Sequence, residues 1–124
     1  MRESLEKHNQ FIRKLLDKPN KAEALSWLEE STDESFRTVG ELDSNERSYD
    51  LIDEVYKAGA VEVWAVEIDT YPDGHQNTGK LVVLLPSEPK ARRRVFGWCG
   101  SRAKALGFDP DEDVGQDHLF VMLN

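Results

Sequence analysis

Two β-prone runs constrain this chain more than anything else in it: residues 60–69, AVEVWAVEID, and residues 81–85, LVVLL. β-Branched and aromatic side chains suit a pleated, half-buried surface. The polar, turn-rich segment TYPDGHQNTG separates the runs, so together they predict an antiparallel hairpin. Along the first run Trp64, Val66 and Ile68 alternate with Val61, Val63, Ala65, Glu67 and Asp69. Burying a large apolar side chain is worth about 1.5–3 kcal/mol, which assigns the Trp64 face to covering helices and leaves Glu67 and Asp69 near solvent. The opposite face still carries Val61, Val63 and Ala65, and LVVLL is apolar on both sides, so the second face needs a cover too.

Before the hairpin, residues 3–18 place Leu5, Phe11, Ile12, Leu15 and Leu16 at helical spacing, with His8 on the same side. Pro19 ends that helix. Asn20 and Glu23 then form a capping-box pattern for a shorter helix reaching Glu30. The polar run STDES at 31–35 reads as a boundary between an N-terminal helical extension, 1–34, and a main domain, 35–124. Residues 36–42 form a weaker strand, in which Gly40 marks a bulge or a close backbone approach. Asp43 or Ser44 caps the next helix, and Gly59 closes it. After the hairpin, Pro86 and a Ser87 cap introduce a helix to Leu106, followed by an acidic loop, 109–117, and a last strand, 118–123.

The order strand, helix, strand, strand, helix, strand over residues 35–124 resembles the ferredoxin-like βαββαβ arrangement. The resemblance implies an α+β fold with one antiparallel sheet and two helices on a single face, and it is one of topology only. The N-terminal helical pair is the natural cover for the other face. A second copy of the chain is the alternative, so a monomer and a homodimer are both open.

A chain of 124 residues forms one core, burying roughly two-thirds of its unfolded surface. The formal net charge of −8 disfavours nonspecific attraction to nucleic acid and to anionic membranes. No run approaches a membrane span and the N-terminus has no apolar leader core. The single cysteine, Cys99, excludes an internal disulfide and any C-x-x-C pattern. A cytoplasmic protein is the expectation.

Few residues point to chemistry. Glu67, Asp69, Asp73 and His75 cluster around the hairpin turn and are the best local candidates for holding a ligand or metal, or for acid and base work. Asp109, Asp111 and Asp113 alternate like the first ligands of a calcium loop, but Val114 and Phe120 stand where an EF-hand needs Gly and an acid. Lys90, Arg93, Arg94 and Lys104 make a basic patch on one helix face, read as solvated. Cys99 sits on the apolar side of the same helix, as a small buried hydrophobe. His118 opens an edge strand. The third core strand lacks the stacking aromatics and basic glycine motif of an RNA-recognition module. No phosphate loop, nucleophile elbow or zinc-protease motif occurs, and no cofactor is implied. The expected function is therefore that of a non-catalytic binding or regulatory domain acting through a protein partner or a small ligand. The alternative is a metal-dependent or acid/base enzyme built on the hairpin carboxylates and His75.

Overall fold

A computed structural model describes residues 2–124. Four helices, α1 (Arg2–Asp17), α2 (Ala24–Glu29), α3 (Asn45–Ala58) and α4 (Pro89–Ala105), pack with seven short strands: β1 (Ala22–Glu23), β2 (Arg37–Val39), β3 (Glu62–Val66), β4 (Asp69–Thr70), β5 (Gln76–Thr78), β6 (Lys80–Leu84) and β7 (His118–Met122). The main sheet is antiparallel, in the order β1-β3-β6-β7. A smaller sheet has the order β2-β5-β4.

The expected hairpin is present as β3 and β6, with Val63 opposite Val83 and Ala65 opposite Leu81. It continues beyond the main sheet, because both strands bend at the same level. Glu67 takes a positive φ of 49°, which ends the alternation of β3 and lets β4 set off in a new direction. Across from it the chain turns between Thr78 and Lys80. The buried Thr78 hydroxyl donates to the Val66 carbonyl and accepts from Lys80 N, fastening the two bends together. The outer part of the ribbon, β4 and β5, then pairs with β2, which runs parallel to β5.

The α+β class holds, but the ferredoxin-like arrangement is not confirmed. In a split β-α-β unit each helix joins two parallel strands. Here α4 joins β6 to β7, which lie side by side and antiparallel. The acidic connector makes this return possible. Arg92, near the start of α4, grips Asp113 with Nε and Nη2, both at 2.8 Å, and Nη2 also donates to the Gln116 carbonyl at 2.7 Å. The loop is thereby held along α4 and delivers the chain to the end of β6, where Leu85 N donates to the Asp117 carbonyl. The first core strand also departs from expectation, since β2 joins the smaller sheet.

The two faces of the main sheet are exchanged relative to the sequence reading. Val63, Ala65, Leu81, Val83, Leu119 and Val121 face the larger core with α2, α3 and α4, whereas Val66 and Val82 pack against Ile12 and Leu15 of α1, with Trp64 and Phe120 at the rim. Small and β-branched residues let three helices approach closely. Trp64 keeps a polar tip, and its Nε1 donates to Glu62 at 2.8 Å at the edge of the α1 side. Ile68, beyond the bend at Glu67, returns to the larger core, and Val61 is exposed.

The N-terminal helices also divide their work. α1 covers the second face alone, while Ala24, Trp27 and Leu28 of α2 are buried in the larger core and β1 forms the sheet edge. Two caps differ from expectation. Glu23, rather than Asn20, caps α2 by accepting from Leu25 N and Ser26 N, and Glu88, rather than Ser87, caps α4 by accepting from Lys90 N and Ala91 N. In both, a longer carboxylate reaches the free amides of the first turn. Ser44 caps α3, and Gly59 ends it with φ of 127°. Gly40 has φ of 59°, and a Cβ there would stand 3.0 Å from that of Leu123, the close approach expected at this glycine.

Candidate functional site

The outward bend of the hairpin opens a cleft of about 740 Å³ beside the smaller sheet. Its floor comes from β2 and β5 and its wall from the turn between β4 and β5. That turn is built locally. Asp73 Oδ1 accepts from His75 N at 2.9 Å, Gly74 N donates to the Tyr71 carbonyl, and Gly74 has the positive φ that such a turn needs.

The polar groups of the cleft are fixed by one another. Asn77 Nδ2 donates to Thr38 Oγ1 at 2.9 Å and to the Gly40 carbonyl at 3.1 Å, so both amide protons are used and Oδ1 is left as an acceptor. Thr38 Oγ1 lies 3.4 Å from His75 Nε2. A hydroxyl has two lone pairs and one proton, so Thr38 can meet this ring nitrogen as donor or acceptor while accepting from Asn77. The His75 ring sits 5.6 Å from both the Phe36 and Tyr71 rings, tilted against each. Glu41 and Asp73 supply negative charge at the margin, and among the described residues no Lys or Arg lines the cleft.

The four hairpin candidates do not form one constellation. Asp73 and His75 belong to this cleft, while Glu67 and Asp69 line a neighbouring one of about 360 Å³. Tyr71, Asn77 and Asn124 border both. Glu67 is engaged by Lys80 at 3.5 Å and Lys18 at 3.7 Å, and Asp73 by its own turn. Among the described residues no three His, Cys, Asp or Glu side chains come together to hold a metal ion. Asp113 of the calcium-like run is instead the partner of Arg92, which holds its carboxyl down at about 2.

Lys90, Arg93, Arg94 and Lys104 are exposed on α4, with Arg94 Nε donating to the Ala58 carbonyl at 3.2 Å. Cys99 is buried, and that burial pushes its thiol up to about 12, the direction of an unreactive structural cysteine. His118 is the first residue of β7, at the edge of the sheet, and His8 Nε2 contacts its carbonyl at 2.7 Å. Burial lowers the His118 pKa.

Thr38, Asn77 and Arg92 are the residues that sequence reasoning missed. Thr38 and Asn77 are ordinary polar residues of short strands, and only the parallel pairing of β2 with β5, which sets them side by side, gives them a common role. Arg92 lay within a basic run whose other members are exposed; an arginine one helical turn after the cap, followed by an acidic loop, was the available signal. Comparison of the chain with protein-family models, with curated proteins and with solved structures finds no match in any of the three.

Proposed function

We propose that this chain is a small non-catalytic binding domain of the cytoplasm, and that the cleft between β2 and the β4–β5 turn takes a small polar ligand. One observation carries the reading: Asn77 is fixed by its bonds to Thr38 and the Gly40 carbonyl, with the His75 ring against the same Thr38 hydroxyl, so acceptor Oδ1 of Asn77 and the His75 imidazole are held ready with little ordering cost on binding. The volume is that of a typical small-molecule site. Glu41 and Asp73, with no Lys or Arg among the described lining residues, favour a neutral or cationic ligand over an anion. Tyr71 supplies an exposed aromatic surface at the rim, suited to a flat or cationic group.

The test is a titration of the full ¹⁵N-labelled chain with amino acids, nucleosides, monosaccharides and small amines. The expected result is saturable movement of the Gly40, His75 and Asn77 resonances with one class of neutral or cationic probe, lost in Asn77→Ala. Failure of every probe to move these resonances, or binding that survives Asn77→Ala unchanged, would refute the reading.

A further inference from the structure

We propose that the outer edge of β7 is a strand-addition site for an extended, basic and aliphatic peptide segment of a partner protein. This site lies apart from the cleft and does not depend on it.

The backbone comes first. β7 is the last strand of the main sheet. Its pairing with β6 is bracketed by Leu85 N donating to the Asp117 carbonyl and Leu123 N donating to the Gly79 carbonyl. In an antiparallel ladder those bonds fall on alternate residues. Residues 117, 119, 121 and 123 therefore bond inward, while the N–H and C=O groups of His118, Phe120 and Met122 face away from β6. His8 contacts the first of these carbonyls. Among the described residues nothing bonds to those of Phe120 and Met122, which remain as a row on which an added strand can pair.

Beside that row runs a groove of about 160 Å³, walled by Cys99 and Ala103 of α4, by Phe108 and by Val121. It is below the size of a cofactor or drug-like site, and it suits a single aliphatic side chain. Phe108 is 54% exposed, an uncommon state for a large aromatic. On the other side of the strand, Phe11 packs edge-on against Phe120 with ring centroids 5.0 Å apart and is itself 44% exposed. An added strand would thus meet apolar surface on both of its faces.

Charge selects the occupant. Asp109 and Asp111 line the groove, in a loop whose Asp113 is already neutralised by Arg92. A segment with an aliphatic residue in the groove and Lys or Arg two positions to either side would place its cations against these carboxylates, since every second residue of a strand faces the same way. A second copy of the chain is the poorer occupant. Pairing β7 with β7 would bring two acidic loops together on molecules that each carry a formal charge of −8.

The probe is a blocked heptapeptide, Thr-Lys-Val-Leu-Val-Lys-Thr, titrated into the full ¹⁵N-labelled chain. Three controls accompany it: the same peptide with Glu in place of both Lys, and two forms N-methylated at alternate backbone amides, one for each edge. Binding should move the Phe120 and Met122 amide resonances and slow their hydrogen exchange. It should weaken about tenfold or more with the acidic peptide and with one of the two methylated forms, since a strand pairs through one edge only. Asp109→Asn with Asp111→Asn should weaken the basic peptide several-fold and leave the fold intact, because both residues are exposed. Equal binding of the acidic peptide, indifference to methylation on both edges, or the absence of any effect at Phe120 and Met122 would overturn the proposal. So would concentration-dependent dimerisation that perturbs those same two amides, which would give the edge to a second copy.

Discussion

Tyr56→Phe removes one oxygen atom and should destabilise the protein far more than a surface phenol would. β1 is only two residues long, with Ala22 opposite Ala65 and Glu23 opposite Trp64, before the chain leaves the sheet as α2. Val63, fully buried and one residue beyond the end of that ladder, has no β1 residue left to pair with. Its N–H donates instead to the Tyr56 hydroxyl at 2.9 Å, and the hydroxyl donates onward to Glu23 Oε2 at 2.6 Å. Glu23 in turn caps α2. One phenol thus closes the sheet ladder and steadies the helix cap.

Leaving a buried N–H without an acceptor costs about 1–3 kcal/mol. The lost bond to the carboxylate adds little, because Glu23 retains two backbone donors and is reached by water, and the full burial of Val63 puts the total in the upper part of that range, about 2–3 kcal/mol. For a domain of this size each kcal/mol shifts the midpoint by about 3–5 °C, giving a fall of about 6–15 °C by calorimetry or circular dichroism. Tyr49→Phe is the control. Its hydroxyl makes one long bond, 3.3 Å, to Glu29 at the surface, and the melting temperature should not change measurably. A double-mutant cycle with Glu23→Ala should show coupling of about 1 kcal/mol or more. If Tyr56→Phe melts within about 2 °C of the parent, or no differently from Tyr49→Phe, the bridging role of the hydroxyl is wrong.

Other perturbations address the remaining joints of the fold. Arg92→Met should free the segment 106–117, which limited proteolysis would show as new cleavage there while α3 and β3 stay protected; an unchanged digestion pattern would refute the clamp. Because burial lowers the His118 pKa, the unfolded chain binds more protons at that site as pH falls. Its contribution to stability is therefore present above about 6.5, the unfolded value, and is lost as pH drops through the folded value. His118→Gln should flatten the stability profile on the acid side of neutrality, and an unaltered slope in urea titrations would count against it. Deleting residues 1–18 should uncover Val66, Val82 and Phe120 and cause association visible by light scattering; a monomeric, equally stable product would show that α1 does not protect that face.

The hairpin, the four helices and several of their ends were legible in the sequence because each rests on local physics. β-Branched runs, apolar residues at helical spacing, Ser44 as a cap and Gly59 as a stop act within a few residues of themselves. The hairpin candidates were legible only as neighbours along the chain. Asp73 and His75 share a cleft because they build one turn, whereas Glu67 and Asp69 fall into the next because the ribbon bends at Glu67 and Gly79, and a bend is decided by what packs beyond it. Alternation along β3 established that Trp64 and Val66 share one side and Val63 and Ala65 the other. It could not say which side meets three helices and which meets one, since both are apolar. Close packing against α2, α3 and α4 favoured the smaller residues, and the Trp64 indole went where its N–H could reach Glu62. The strand order was likewise a tertiary decision: the connector that Arg92 clasps at Asp113 returns along α4, and Leu119 and Val121 bury with Val95 and Cys99 once β7 lies antiparallel beside β6.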